Sequence, residues 1–271
     1  MGCRGALHPC RGQGRAALAG FGAEPQYYAS AKVVYYRLAC FEKEVTAVEE
    51  KKDILKKSFG DRLFQGLLNG LIYITLRPKV IWQDKELKKA VNKKPCIFVC
   101  NHTHHFDGSF AGAILDRYKP YVLVTAKWYN KKKIGPLVRM NRTIPIDLNS
   151  TDTDWYMNCQ RALKEGKSLV IFPEGAVARE GKMQPFKPGA GVFSAKLGVD
   201  IVPVAIYGPY KILFGKRQRA IVGKPIHPDC HDNMRPSKYA RLLMEEAEQS
   251  VKELYDSMSQ KYGDTGVYYD S

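Results

Sequence analysis

FVCNHTHHFDG, residues 98–108, joins the end of an apolar run to a turn that packs three histidines and an aspartate into six positions. The run begins at Cys96 and reads as a strand, and a helix is expected over 106–117, so the stretch spells strand, polar turn, helix. The same order recurs along the chain. Apolar β-rich runs fall at 121–126, 143–146, 168–172, 201–207 and 219–223, with further helices expected at 152–164 and 190–197. Gly166 is placed to stop the first of these. Such alternation predicts an α/β fold with a largely parallel central sheet flanked by helices. A last amphipathic helix is expected over about 238–258, with Tyr239, Leu243, Ala247, Val251, Leu254 and Tyr255 on one face.

Composition narrows what such a fold could do. A chain of 271 residues, 45% hydrophobic, can build a proper core, which argues against disorder throughout. The seven cysteines (3, 10, 40, 96, 100, 159 and 230) are odd in number and contain no C-x-x-C pair. They suggest neither a disulfide framework nor a zinc knuckle, and fit a reducing compartment. Cys96 and Cys100 lie an even number apart, so both thiols belong on one strand face. Net charge is +16, which favours an anionic partner such as nucleic acid, a lipid surface or a phosphorylated ligand. Residues 118–146 hold seven basic residues and no acid, and residues 181–228 hold eight against Asp200 alone. Two such clusters flank the motifs described below.

Residues 1–29, rich in Gly, Arg and Ala, read as a disordered extension or an overlong start without the continuous apolar stretch of a secretory signal. Residues 30–80 are expected to be helical and membrane-associating, residues 81–260 to form the α/β domain, and residues 261–271 a tail. Within the second segment, LFQGLLNGLIYITL (63–76) is uncharged and bounded by Arg62 and Arg77. At that length it falls short of the roughly 20 residues a spanning helix needs. Gln65, Asn69 and Tyr73 recur every four residues and leave a wide apolar face. Two readings stand: a core helix, or an interfacial helix whose flanking arginines reach up to headgroups.

The histidine-rich turn admits three chemistries. A zinc hydrolase of the β-lactamase fold would place His, His, Asp and His at offsets 0, 2, 4 and 5; here Phe106 and Asp107 occupy the last two places. The register for metal is lost, though two histidines and an aspartate can bind zinc opportunistically. As a catalytic pair, His102 and Asp107 stand with four residues between them at a strand's C-terminal end, where open α/β sheets place ligands. A carboxylate on imidazole Nδ1 fixes the tautomer and leaves Nε2 free to take a proton from an alcohol. The spacing arises cheaply: His227 and Asp232 repeat it in a Pro-rich loop. The third reading is an ordinary polar turn, and for His104 and His105 that is the default.

A second stretch, SLVIFPEGAVAREGKMQPFKPGAG (168–191), again ends a strand in a polar turn, followed by basic residues and a Gly-rich helix entry. Glu174 could hold substrate hydroxyls, and Arg179, Lys182 and Lys187 could meet phosphate. With MNRTIPID (140–147) between the two stretches and IVPVAI (201–206) after them, the order of NHTHHFD (101–107), IFPEG (171–175) and the rest resembles the glycerolipid acyltransferase family, over roughly residues 81–226. That family is typified by bacterial 1-acylglycerol-3-phosphate acyltransferases.

The resemblance implies an O-acyltransferase that moves a fatty acyl group from acyl-CoA or acyl carrier protein to a lysolipid hydroxyl, giving phosphatidic acid from 1-acylglycerol-3-phosphate. His102 would be the general base and Asp107 its orienting partner, with Glu174 and Gly175 lining the acceptor site. No metal or cofactor is required, because the thioester supplies the leaving group. The chain departs from the family where Ala176-Val177-Ala178 replaces the frequent Thr-Arg-Ser, and where Leu148 replaces an arginine. Arg142, Arg179, Lys182 or Lys187 would then meet the acceptor phosphate, or the acceptor is a lysolipid with a different headgroup. The expected setting is the cytoplasmic face of an anionic membrane, peripheral or monotopic. Nucleic acid is not an expected partner, since no nucleic-acid module is visible. A non-catalytic basic lipid-binding protein is the remaining alternative.

Overall fold

The computed structural model describes residues 53–91, 94–147, 153–178, 182–208, 210, 217–228, 234–263 and 268–269. The extension expected over 1–29, and the charged helix expected from residue 30, lie outside these residues up to Asp53. Residues 53–57 form a turn and a short extended link, and α1 (Phe59–Leu76) follows. Ser58 caps α1 with a capping box: its hydroxyl accepts from the Asp61 N–H, and the Asp61 carboxylate accepts from the Ser58 N–H.

All six apolar runs become strands of one seven-stranded sheet. They are β2 (Ile97–Cys100), β3 (Tyr121–Thr125), β4 (Thr143–Ile146), β5 (Leu169–Ile171), β7 (Ile201–Tyr207) and β8 (Arg219–Val222). The seventh, β1 (Lys79–Trp82), was not anticipated: it is short, starts on a lysine and is only half-buried, as an edge strand can be. Spatial order is β1-β8-β7-β2-β5-β3-β4. The run from β7 to β4 is parallel throughout, while β8 lies antiparallel to β7 and carries β1 parallel to itself. β7 and β2 form the centre, and every residue of both is buried. Pro203 is tolerated inside β7 because its carbonyl, and hence its missing N–H, faces the point where β8 has ended, and Gly223 N–H donates to that carbonyl.

Alternation along β2 sends Cys96, Phe98 and Cys100 to one face and Ile97 and Val99 to the other. The first face packs α3 (Asp107–Ile114), through Phe110, Ala111 and Ile114, and the inner side of α1. The second packs α6 (Asp154–Lys164), α7 (Gly189–Leu197) and α8 (Pro236–Tyr262), after the short helices α2 (Lys85–Ala90), α4 (Ala126–Tyr129) and α5 (Gly135–Met140) have been passed along the chain. α6 ends in a Schellman motif: Gly166 has φ 74°, Lys167 N–H donates to Ala162 O, and Gly166 N–H donates to Leu163 O. α7 and α8 come so close that a Cβ on Gly191 would sit 2.1 Å from the Ala240 carbonyl oxygen.

The 63–76 segment is helical, as expected, and its polar stripe runs from buried Gln65 through half-buried Asn69 to exposed Tyr73. The residues pointing outward are Phe59, Leu63, Leu67, Leu71 and Ile74, from 56% to 82% exposed. The helix therefore seats Gln65 together with Leu68, Ile72 and Leu76 on the domain and turns a second apolar face away from it. The tail expected over 261–271 is partly integrated, because α8 runs to Tyr262 and β9 (Tyr268–Tyr269) pairs in parallel with β6 (Lys182–Met183).

Candidate active site

The parallel strands β2 and β5 finish at the same end of the sheet, and the turns that leave them carry His102 and Glu174. Asn101 begins the first turn. It is fully buried, and its carboxamide grips Ile206 twice: Nδ2 donates to Ile206 O at 3.1 Å and Oδ1 accepts from Ile206 N at 2.7 Å. One side chain thus continues the β2–β7 pairing one step past the strand, and fixes where the next residue starts.

Asp107, at the first position of α3, has no exposed surface. Its Oδ2 accepts from Thr103 N at 2.6 Å and His104 N at 2.7 Å, and lies 3.0 Å from His102 Nδ1. The Tyr210 hydroxyl donates to its Oδ1. An ionised carboxylate only accepts, so His102 Nδ1 is the protonated nitrogen and Nε2 carries the lone pair. Nε2 has no hydrogen-bond partner among the described residues, and the imidazole is 19% exposed with its ring 4.5 Å from that of Phe172. The expected pair is thus in contact, with its basic atom open.

Glu174 sits below this loop. It is 3% exposed, and its two oxygens accept from His102 N at 2.7 Å and Gln184 N at 3.0 Å. Burial pushes its pKa up to about 7 against the pull of those two hydrogen bonds. Its carboxyl therefore braces the histidine loop from beneath, where an acceptor-holding role had been expected. The N–H groups of residues 102, 103 and 104 are all spent on Glu174 and Asp107, so these three do not serve a developing oxyanion.

Gly175 has φ 76°, a conformation that L side chains avoid, and a Cβ there would meet the Lys187 ammonium at 2.6 Å. The glycine lets the exposed Lys187 lie across the turn that follows Glu174, and Lys187 N–H donates to Pro173 O. Lys187 is therefore brought to the site. Arg142 is not: it precedes β4, level with Tyr121 and through it with Leu169 and Ile97, at the end where the strands begin. Its guanidinium is paired with Asp116 at 2.7 Å. Three strand spacings and three residues of rise separate it from the end of β2. Lys182 opens β6, while Arg179 and Leu148 lie outside the described residues. His227 pairs with Asp200 on the surface, and Asp232 is outside the described residues.

Sequence reasoning gave no role to Asn101 or Tyr210 and left His104 as a polar turn position. His104 is more than a variable turn position, since its ring stacks on Tyr210 at 4.6 Å and on Phe106 at 5.3 Å. Cys96, Cys100 and Cys159 are buried, and burial pushes the Cys96 thiol up to about 12, so none of these thiols is poised as a nucleophile. The constellation suits removal of a proton from an uncharged group by Nε2, beside a cation.

Residues 80–207 match the model of the family described as Acyltransferase. Among the relatives, a chloroplastic 1-acyl-sn-glycerol-3-phosphate acyltransferase of Brassica napus is 28% identical over 180 residues, covering 61% of this chain and 48% of that protein. The 1-acyl-sn-glycerol-3-phosphate acyltransferase of Bacillus subtilis is 28% identical over 168 residues, covering 60% of this chain and 83% of that protein. The chain spans about half the length, or less, of the plant relatives it matches. In fold it is similar to the crystal structure of the 1-acyl-sn-glycerophosphate acyltransferase of Thermotoga maritima, with a TM-score of 0.51 and 17% identity over 84% of this chain and 92% of that one. Over residues 80–207, which take in both strand-end turns and the strands between them, the chain is similar to the family described as Acyltransferase.

Proposed function

We propose that this protein is an O-acyltransferase that transfers a fatty acyl group from an acyl-CoA or acyl carrier protein thioester to the free hydroxyl of a lysolipid, 1-acylglycerol-3-phosphate first among them. The observation that carries the reading is the His102 imidazole, tethered through Nδ1 to a buried carboxylate with Nε2 open. Nε2 takes the hydroxyl proton as the oxygen attacks the thioester carbonyl; the C–S bond then breaks and the departing thiolate recovers that proton from the imidazolium. A positioned base of this kind contributes about 10²- to 10⁴-fold in rate. No metal or protein nucleophile enters the step.

Lys187, lying over Gly175, is the described cation best placed for the acceptor phosphate. A lysolipid with a different headgroup is the second reading, favoured by one observation: Arg142, expected to replace a missing motif arginine, is engaged with Asp116 away from His102.

The lipid chains call for a surface. Among the described residues no helix is long and apolar enough to cross a membrane. The outward Phe59, Leu63, Leu67, Leu71 and Ile74 of α1, with exposed Ile134 and Leu137 of the neighbouring α5 region and basic Lys131, Lys132, Lys133 and Arg139, suit an amphipathic seat on anionic headgroups. The protein on this reading is monotopic at the cytoplasmic face.

The test is thiol release from acyl-CoA and acyl carrier protein donors with a panel of lysolipids in micelles, with and without chelator. Acceptor-dependent release, insensitive to chelation and lost in His102→Ala, is expected. Release independent of any acceptor, or unchanged in that variant, would sink the proposal.

A further inference from the structure

Among the described residues, Tyr210 reaches back from the segment after β7 to the His102 turn. Tyr210 stands two positions past Gly208, whose φ of 108° turns the chain out of the strand. Its hydroxyl donates to Asp107 Oδ1, its ring stacks on His104, and it meets Phe110 edge-on at 6.0 Å. Asp107 is thereby held from both sides, by its own turn on Oδ2 and by a residue 103 positions away on Oδ1. The three donors on Oδ2 anchor one oxygen, and the Tyr210 hydroxyl adds a second fixed point on the other, which narrows the remaining swing of the carboxylate about its Cβ–Cγ bond.

We propose that Tyr210 is a positioning residue for His102: its hydroxyl fixes the Asp107 carboxylate plane, and through it the imidazole plane and the direction of Nε2. Burial and the Asp107 charge both push the Tyr210 hydroxyl well above its usual pKa, so it remains a donor across the working pH range. His104 completes the arrangement by giving the Tyr210 ring a flat surface, which accounts for a histidine that takes no part in proton transfer. Asn101 and Tyr210 are then two latches on the His102 turn, one to the backbone of β7 and one from beyond that strand to the carboxylate.

The kinetic arm rests on the acyltransferase reading above. Tyr210→Phe keeps the ring on His104 and Phe110 and removes only the hydroxyl. Since a small misplacement of a base can cost up to about 100-fold, kcat is expected to fall about 10-fold while the KM for lysolipid and donor stays within about twofold. A kcat unchanged within twofold, or a loss carried by KM alone, overturns the proposal. The second arm needs no turnover. In ¹⁵N-histidine-labelled protein, the low-field Nδ1 proton of His102, assigned by its absence in His102→Ala, is expected to shift in Tyr210→Phe. Reciprocally, Asp107→Asn is expected to move the ¹³Cζ resonance of Tyr210, an observation that stands even where the phenylalanine variant does not fold. Both resonances unmoved would refute the coupling. Wild-type protein without acceptor-dependent thiol release would refute the acyltransferase reading instead, and leave the spectroscopic arm to decide the coupling alone.

Discussion

Raising the pH from 5 to 8 should weaken the fold through one carboxyl, Glu174. Burial raises its pKa from the ordinary 4.5 to about 7. Below 4.5 the group is protonated in both native and unfolded chains and contributes nothing. Between 4.5 and 7 the native state holds the proton that the unfolded state releases, so stability falls as pH rises, by up to about 1.4 kcal/mol per unit. Above 7 both states are ionised and the loss is complete. Over pH 5 to 8 the fall amounts to about 2–3 kcal/mol. Glu174→Gln removes the titration at the expense of one acceptor, because the amide NH₂, unlike the hydroxyl oxygen of the protonated acid, cannot accept from either of the two N–H groups now served. That loss, about 1–3 kcal/mol, does not vary with pH. Urea unfolding of both proteins at pH 5, 6, 7 and 8 in the same detergent gives the difference curve. The variant should be the less stable at pH 5 and gain on the wild type steadily to pH 8. Parallel stabilities across that range, or a variant that loses ground as pH rises, would refute the burial argument.

Other outcomes follow from single contacts. Gly191→Ala should destabilise by about 1–3 kcal/mol or more in thermal or urea unfolding, since its methyl would meet the Ala240 carbonyl oxygen at 2.1 Å, and two packed helices would have to part. Leu67→Glu with Leu71→Glu, both on the outward face of α1, should leave the melting temperature within a degree or two while sharply reducing flotation with anionic liposomes. Retained flotation would put the membrane contact elsewhere. Phe98→Ala, at a fully buried position of β2, should cost about 3–5 kcal/mol in urea unfolding.

The sheet was legible because a strand buried on both faces has to be written in apolar residues, and those runs stand out against the polar turns between them. β1 carries no such signature: Lys79 is exposed and the other three residues are half-buried, so the run looks like loop. The helical wheel of 63–76 showed a wide apolar face and a polar stripe but not which side meets the domain: Gln65 goes inward with Ile72 and Leu76, while Leu63, Leu67 and Leu71 stay exposed. Arg142 was misassigned because proximity to a motif in sequence says nothing about depth along a strand, and the register puts it at the far end. His102 and Asp107 could be paired from spacing since both lie on one turn. Tyr210 could not, because nothing local to residue 210 refers to residue 107. The same holds for Glu174, whose place in its motif was visible while its partners, His102 N and Gln184 N, were not.

The central position of β7 has a consequence for how the chain is made. Ile97 of β2 is registered against Ile201 of β7, so one whole flank of the most buried strand waits for a partner about 100 residues downstream. At a synthesis rate of roughly 5–20 residues per second, that flank stays unpaired for about 5–20 s after it leaves the ribosome. An unpaired apolar strand is a template for pairing with another chain. A nascent chain that stalls before residue 201 would already carry His102 and Asp107, and would present Ile97–Cys100 to its neighbours with nothing to cover it. The hazard is greatest in the half-made molecule, and a chaperone that holds strand edges would act within that interval.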